Sequence, residues 1–483
     1  MEIIKLEKYR PILHFAPQRN WMNDPNGLVF FKGEYHLFFQ HNPNDSRHGP
    51  MHWGHAVSKD LIKWEELDIA LYPDEHGTIF SGSAVVDWDN TSGFFPEEPG
   101  LVAIFTHHLE RENQTPIQTQ SLAYSHDQGR TWIKYAGNPV LKHPTKIDFR
   151  DPKVFWDEAS QSWIMVLATG QTVSIYSSPN LKAWKFESEF GENMGSHDGV
   201  WECPDLFELN VDNSNEKKWV LFVSIGDNPQ FETGSRTQYF VGSFDGNKFV
   251  PEHEDMKWLD FGKDNYAGVS FSDIPREDGR RIYLGWMSNW RYANHVPTEG
   301  WRSQMTLPRE LMLRETGGDF HIVQKVVREL DTYFTTKEEI SNVIIGTEDT
   351  NIYELDSEYA EVELILESVD ASQYGLTIHH TKKQYTRITI DKNENILLLD
   401  RKNSGKVDFS DNFSRAQKVK LEDTNKMKLR IIMDSSSLEL FINEGEQALT
   451  SLVYPEKACE SISLFTTEGK VNVVHGKFSI PSI

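Results

Sequence analysis

A short polar turn recurs along this chain. SKDLIKW (58–64) returns as SHDQGRTW (125–132), as SPNLKAW (178–184) and, more loosely, as SFDGNKF (243–249). In each copy a strand-forming run ends at Ser, an Asp or Asn follows two residues later, and an aromatic residue opens the next run. The Asp or Asn side chain can bond its own backbone through the turn, while the aromatic packs between sheets. The copies stand roughly 50–70 residues apart, room for one four-stranded blade each, so the spacing predicts a β-propeller. Four marked blades plus the unmarked strand-rich region 282–309 make five. Unrelated hairpins can share such turns, so the repeat does not stand alone.

The rest of the sequence agrees with an all-β chain. Runs of four to seven β-branched and aromatic residues (28–31, 35–40, 101–106, 163–168, 219–224, 282–287) are separated by Gly, Pro, Asn and Asp. Aromatic residues make up 12% of the chain, including 14 Trp, and wide flat side chains suit pleated surfaces. After LPREL (307–311) the texture changes. A helix or turn is expected over 322–333, and cleanly alternating strands follow, such as 359–366, 385–390 and 437–442. Half-buried antiparallel strands of this kind predict a β-sandwich. The expected organisation is a five-bladed β-propeller over 1–320, a linker over 321–338 and a C-terminal β-sandwich over 339–483.

Charge and cysteine usage narrow the function. A formal charge of −24 repels nucleic acid and acidic membranes and favours a neutral small-molecule or polysaccharide partner. The two cysteines, Cys203 and Cys459, form neither a disulfide framework nor a CxxC metal pair. Residues 1–10 lack the apolar stretch of a secretory leader, and no run approaches a membrane span. A cytoplasmic location is expected, or a secreted one if a leader has been removed. The sandwich could pair two chains as a homodimer.

Three acidic segments stand out. In WMNDPNG (21–27), Asp24 sits between Asn and Pro, by default a turn capped by its own carboxylate. In RDPKVF (150–155), Arg150 and Asp151 read by default as a surface ion pair leading into a strand. In WECPDLF (201–207), Glu202 lies between Trp and Cys, a setting in which a carboxyl group holds its proton, as a donating acid requires. Glycoside hydrolysis needs two carboxyl groups flanking the scissile bond, and a separation of about 5–5.5 Å makes one a nucleophile and retains configuration. The inner strands of a propeller converge on an axis, so acids from three blades can face one pocket.

WMNDPNG, FFQHNP (38–43), WGHAVSKD (53–60), FSGSAVVD (80–87), RDPKVF and ECPDLFEL (202–209) together resemble glycoside hydrolase family 32, which contains invertases, levanases and exo-inulinases. The resemblance spans essentially the whole chain and implies the same propeller and sandwich. It implies a retaining exo-β-fructofuranosidase acting on sucrose, inulin or levan. Asp24 would be the nucleophile that forms a fructosyl ester, and Glu202 would protonate the leaving oxygen and then activate water. Asp151 would accept hydrogen bonds from fructose hydroxyls and stabilise the transition state, with Arg150 orienting it and the sugar. Asn23, Gln40, Phe80 and Ser81 match positions lining the fructose pocket, and Tyr266 and Trp290 are further walls, although core packing is an alternative for these aromatics. No metal and no organic cofactor is implied.

Two positions depart from the family pattern. His48 stands where a Trp is common, which makes one pocket wall smaller and more polar, and Asn265 stands where an aromatic is frequent. Other readings are weaker. The 125–132 turn fits a sialidase, but the arginine cluster for a carboxylated sugar is missing, and an inverting arabinan-cleaving propeller fits WMNDPNG and ECPDLF poorly. A catalytically inactive sugar-binding protein is opposed by the intact acids Asp24, Asp151 and Glu202. A sucrose-6-phosphate hydrolase lacks its phosphate-binding loop here. The remaining histidines show no HExxH or similar ligand spacing.

Overall fold

A computed structural model describes residues 7–231 and 234–482. The first six residues, on which the leader expectation partly rests, lie outside the described residues. The recurring turn closes the outer edge of the first four blades. Asp60 Oδ1 accepts the Ile62 and Lys63 amides at 3.0 and 2.8 Å, and Asn180 Oδ1 accepts those of Lys182 and Ala183 at 3.1 and 2.9 Å. Asp127 and Asp245 cap their own turns in the same way. Each turn passes through the left-handed region, at Gln128 (φ +59) and Gly129 (φ +80) in one copy and Gly246 (φ +90) in another, but at Leu61 (+68) and Leu181 (+63) in the others. The indole N–H groups of Trp64, Trp132 and Trp184 then bond back to the carbonyls of Leu61, Gly129 and Leu181 at 2.8–3.0 Å.

Each blade is one contiguous stretch of chain forming an antiparallel meander. The innermost strands are Asn20–Phe31, Thr78–Asp87, Arg150–Asp157, Trp201–Asn210 and Tyr266–Ser270, in blades one to five. Apolar layers fill the gaps between successive blades. Phe38 and Trp53 meet Val86 and Phe105 between the first two, and Val154 and Met165 meet Ile104 between the next two. The turn aromatics Trp132, Trp184 and Phe249 each pack into the layer shared with the preceding blade, so the repeat read in sequence also glues the ring together. Burying one such side chain is worth about 1.5–3 kcal/mol. Contiguous blades leave closure to separate links: Trp301–Arg302 pairs in parallel with Asn20 and Trp21, and Val29 bridges to Ser272.

The outer strand of blade five, Asp319–Val326, pairs along its full length with Arg309–Thr316. Residues 321–326, expected in the linker, therefore belong to the propeller. Their Ile322, Val323 and Val326 face inward while Asp319, Phe320 and His321 stay half exposed, a pattern that Gly317 and Gly318 separate from its partner strand. A 3-10 turn over Arg328–Tyr333 connects to Phe334–Ile340, the first strand of the second unit. That unit is a sandwich of a seven-stranded and a six-stranded sheet around one apolar core that includes Leu364, Leu376, Ile431 and Leu464. Among the described residues no helix is long and apolar enough to cross a membrane.

Candidate active site

All five innermost strands break register near the same end, between Met22 and Pro25, Ile79 and Gly82, Arg150 and Lys153, Glu202 and Asp205, and Tyr266 and Val269. A bulge turns an extra side chain off the pleat, and here each one aims its residue at the propeller axis. Asp151, Cys203 and Ala267 sit at φ +62, +45 and +54 within these irregularities. Non-glycine residues are uncommon there, and such conformations cluster at functional sites. The physics of the bulge thus brings one residue from each blade to a common mouth.

Asp24 enters from blade one. Its Oδ2 accepts the Ser81 hydroxyl at 2.7 Å and the Cys203 thiol at 3.4 Å, and its Oδ1 accepts the Asn23 amide at 3.0 Å. Asn23 is itself held by the Trp21 indole at 2.7 Å. Glu202 enters from blade four, bonded on one oxygen by the Arg150 guanidinium at 3.0 Å and on the other by the Tyr266 hydroxyl. Its carboxyl group is thus held by polar partners, whereas its sequence neighbours suggested an apolar setting. Asp151, from blade three, is buried; its Oδ2 accepts the Cys203 amide at 3.0 Å, with Arg150 Nε 3.9 Å away. Arg150 is fixed from behind by Asp148 and by Gln118, and Asp151's own amide donates to Thr106 at 3.0 Å.

Three carboxyl groups share this mouth with one guanidinium, so they cannot all be charged cheaply. Burial raises the Asp24 carboxyl above its ordinary range and repulsion from Glu202 adds to it, against the bonds from Ser81, Asn23 and Cys203. Burial pushes Asp151 up to about 7; Arg150 opposes the rise, while Glu202 and Asp24 add to it. The Cys203 thiol is held far above its usual range by burial and by the surrounding acids, so it stays a hydrogen-bond donor linking Asp24 to Asp151.

The aromatic walls surround these acids. Phe80 lies flat on His108, with centroids 4.2 Å apart, and its carbonyl accepts the Trp53 indole at 3.0 Å. Trp290 stacks on Trp21 at 5.9 Å and leans on Trp286 at 4.8 Å, while Tyr266 is buried against the same cluster. Gln40 is 2% exposed, and its Nε2 has no hydrogen-bond partner among the described residues. His48 stands at the rim, edge-on to Trp290 at 5.4 Å and to Trp21 at 6.1 Å, surroundings that lower its imidazole below the ordinary histidine range. Asn265 is a buried strut, accepting the Tyr283 hydroxyl at 2.7 Å and donating to Asp260 at 3.1 Å. Cys203, Trp21, Trp286 and Thr106 were not singled out as site residues in sequence; Cys203 and Trp21 lie inside acidic motifs, whereas Trp286 and Thr106 come from strands of blades five and two that carry no such signal.

Two separately supported carboxyl groups converging on one walled mouth define a glycosidase-type centre. Comparison with known proteins is specific about which. Residues 14–325 match the model of the glycosyl hydrolases family 32 N-terminal domain, and residues 329–480 match the family 32 C-terminal model. The chain belongs to glycoside hydrolase family 32 and is a glycoside hydrolase. A levanase of Bacillus subtilis (strain 168) is 50% identical over 97% of this chain and 69% of its own length. A levanase of Bacillus sp. (strain L7) is 39% identical, and this chain spans about half of it, 52%. The crystal structure of exo-inulinase from Aspergillus awamori superposes with a TM-score of 0.92 at 35% identity, covering 99% of each chain.

Proposed function

We propose that the chain is a retaining exo-β-fructofuranosidase that releases terminal fructose from levan- or inulin-type fructans and from sucrose. The observation that carries it is the pairing of differently supported acids. Asp24 is held by three donors, and Glu202 lies between Arg150 and Tyr266. Asp24 attacks the anomeric carbon of the terminal fructose as Glu202 gives its proton to the departing glycosidic oxygen. The C–O bond to the leaving sugar breaks as the ester bond to Asp24 forms. Glu202, now a carboxylate, takes a proton from water; the water oxygen bonds the same carbon and Asp24 departs. Asp151 accepts hydrogen bonds from fructose hydroxyls, and the partnerless Gln40 Nε2 is available to donate to another.

Release of fructose and glucose from sucrose, inulin, levan and sucrose 6-phosphate, measured side by side, tests the reading. Fructose from sucrose and at least one polymer is expected; silence on all four would refute it. Glu202→Gln tests the acid role. Loss of general acid catalysis should cost about 10²–10⁴-fold in kcat on sucrose. An aryl β-fructofuranoside, whose phenol leaves without a proton, should lose far less. Equal losses on both substrates would remove Glu202 from that role.

The acid cluster also sets a pH profile. Groups whose carboxyls are raised stay protonated below their shifted value and lose the proton above it. Asp151, raised to about 7 by burial, and Asp24, also raised, both hold a proton as pH falls. The kcat/KM on sucrose should therefore fall as pH drops below about 7, as Asp151 loses its capacity to accept and Asp24 its capacity to attack. A profile flat from pH 5 to 9 would contradict this cluster.

A further inference from the structure

The axis opens at a second mouth. The innermost strands begin at the acids and end at Asp87, Asp157 and Asn210 on the opposite face, around a cleft of about 1380 Å³. That exceeds the roughly 300–1,000 Å³ of a small-ligand pocket, so an extended ligand suits it better.

The floor of this cleft carries charged side chains that the hydrolytic reaction does not use. Lys153 and Asp205, the fourth residues of the RDPK and ECPD segments, approach to 3.5 Å. Asp205 is fully buried and accepts the Ser270 amide and hydroxyl at 2.6 and 2.8 Å on Oδ2, yet among the described residues its Oδ1 has no hydrogen-bond partner. Arg281 donates to the Ser270 hydroxyl and the Phe271 carbonyl, at 3.5 and 3.3 Å, and lies over the Phe207 ring, 5.1 Å from its centroid. Among the described residues no carboxylate pairs with its guanidinium. A buried carboxylate oxygen left open and a guanidinium that Asp205 and Glu208 attract without a close ion pair are one acceptor and one set of donors on the same floor.

The wall is aromatic. Trp88 stands at the rim with 56% of its surface exposed, its ring fixed edge-on to Phe31 at 5.9 Å and its indole N–H bonded to Asp273 at 2.9 Å. Phe155, Trp156 and Trp219 line the cleft beyond it. A flat ring held rigid and presented to solvent offers the apolar face that a sugar's C–H face covers, at little cost in side-chain entropy.

We infer that this far mouth is a second carbohydrate-binding site, taking an internal stretch of a neutral fructan chain. Hydroxyl groups both donate and accept, so they satisfy Asp205 and Arg281 together. An anionic chain would meet a protein of net charge −24. The fructan as occupant rests on the substrate reading above; the site's position, on the face opposite the acids, makes it a place of attachment that leaves chain ends free for the catalytic mouth.

Affinity electrophoresis tests it, using Asp24→Asn protein so that the polymer is not consumed. Gels containing levan or inulin should retard this protein. Adding Trp88→Ala should weaken the retardation about fivefold, the loss of one aromatic contact, and Trp88→Phe should restore most of it. In otherwise unaltered protein Trp88→Ala should leave kcat/KM on sucrose and the thermal midpoint unchanged. Equal retardation with and without Trp88, no retardation by either fructan, equal retardation by dextran, or a parallel loss of sucrose turnover would each overturn the proposal. Fructose release from levan by the unaltered enzyme is a separate reading, so failure of the second site and failure of the proposed activity cannot be confused.

Discussion

Asp24→Asn is expected to lower kcat on sucrose and fructans by on the order of 10⁴-fold or more, while the protein stays folded. The amide has the size of the carboxylate but is a poor nucleophile, so no ester can form. It also faces the wrong partners. Ser81 and Cys203 both donate to Asp24 Oδ2, and Asn23 donates to Oδ1, so an NH₂ group in either place meets a donor. That mismatch costs a hydrogen bond, on the order of 1 kcal/mol. Against it stands the relief of repulsion, since burial and Glu202 both disfavour the Asp24 charge. The two terms oppose each other, and the thermal midpoint should move by no more than a few degrees. Stopped turnover with an intact midpoint identifies a chemical role; normal turnover would remove Asp24 from the mechanism.

The same residue shows what a sequence can and cannot disclose. WMNDPNG reads locally as a capped turn, yet the structure makes it a bulged strand whose irregularity aims the carboxylate at the axis. The turn repeat was legible because its chemistry is local: Asp60 bonds amides two and three residues away. Blade number and order followed from that spacing. The five aligned bulges were not legible, because register is a property of two strands and no single segment records it. Phe80 and Trp290 could be named, but not what supports them: the partners His108 and Trp21 lie 28 and 269 residues away by numbering. The polar environment of Glu202 was missed for the same reason, as Arg150 and Tyr266 come from two other blades. Asn265 shows the converse, since an apparent departure in the pocket is a strut behind it.

Arg309→Met should be strongly destabilising, costing about 3–5 kcal/mol of stability. Arg309 is fully buried where the propeller meets the sandwich. Its guanidinium bonds Asp260 at 3.1 Å and Gln324 at 2.8 Å in the propeller, and Glu439 and Thr450 at 2.6 Å in the sandwich. His14 spans the remaining acids, 3.0 Å from Glu439 and 2.7 Å from Asp434. Methionine fills the space but leaves buried Asp260 without a cation and Glu439 with His14 alone, which is why truncating one partner costs more than the pair itself contributes.

The pH dependence follows from the same contacts. Burial alone would lower His14, but its bonds to Asp434 and Glu439 hold it at about 9, above its ordinary 6.5. Its stabilisation is complete below pH 6.5 and is lost as pH rises through 9. Burial alone would raise Glu439, but Arg309 and His14 hold it at about 2, below its ordinary 4.5, so its contribution is complete above 4.5 and is lost as pH falls through 2. Urea unfolding of the unaltered protein should give its highest midpoint between pH 4.5 and 6.5. Without Arg309 the acid-side fall should shrink, because Arg309 supplies the largest part of the lowering that creates it. Turnover should suffer too: Asp260 and Asp264 clamp the segment leading to Tyr266, whose hydroxyl holds Glu202, so loosening the sandwich loosens the proton donor. An Arg309→Met protein with the unaltered midpoint and full turnover would show that the sandwich is docked by other contacts and does not support the catalytic mouth through this one.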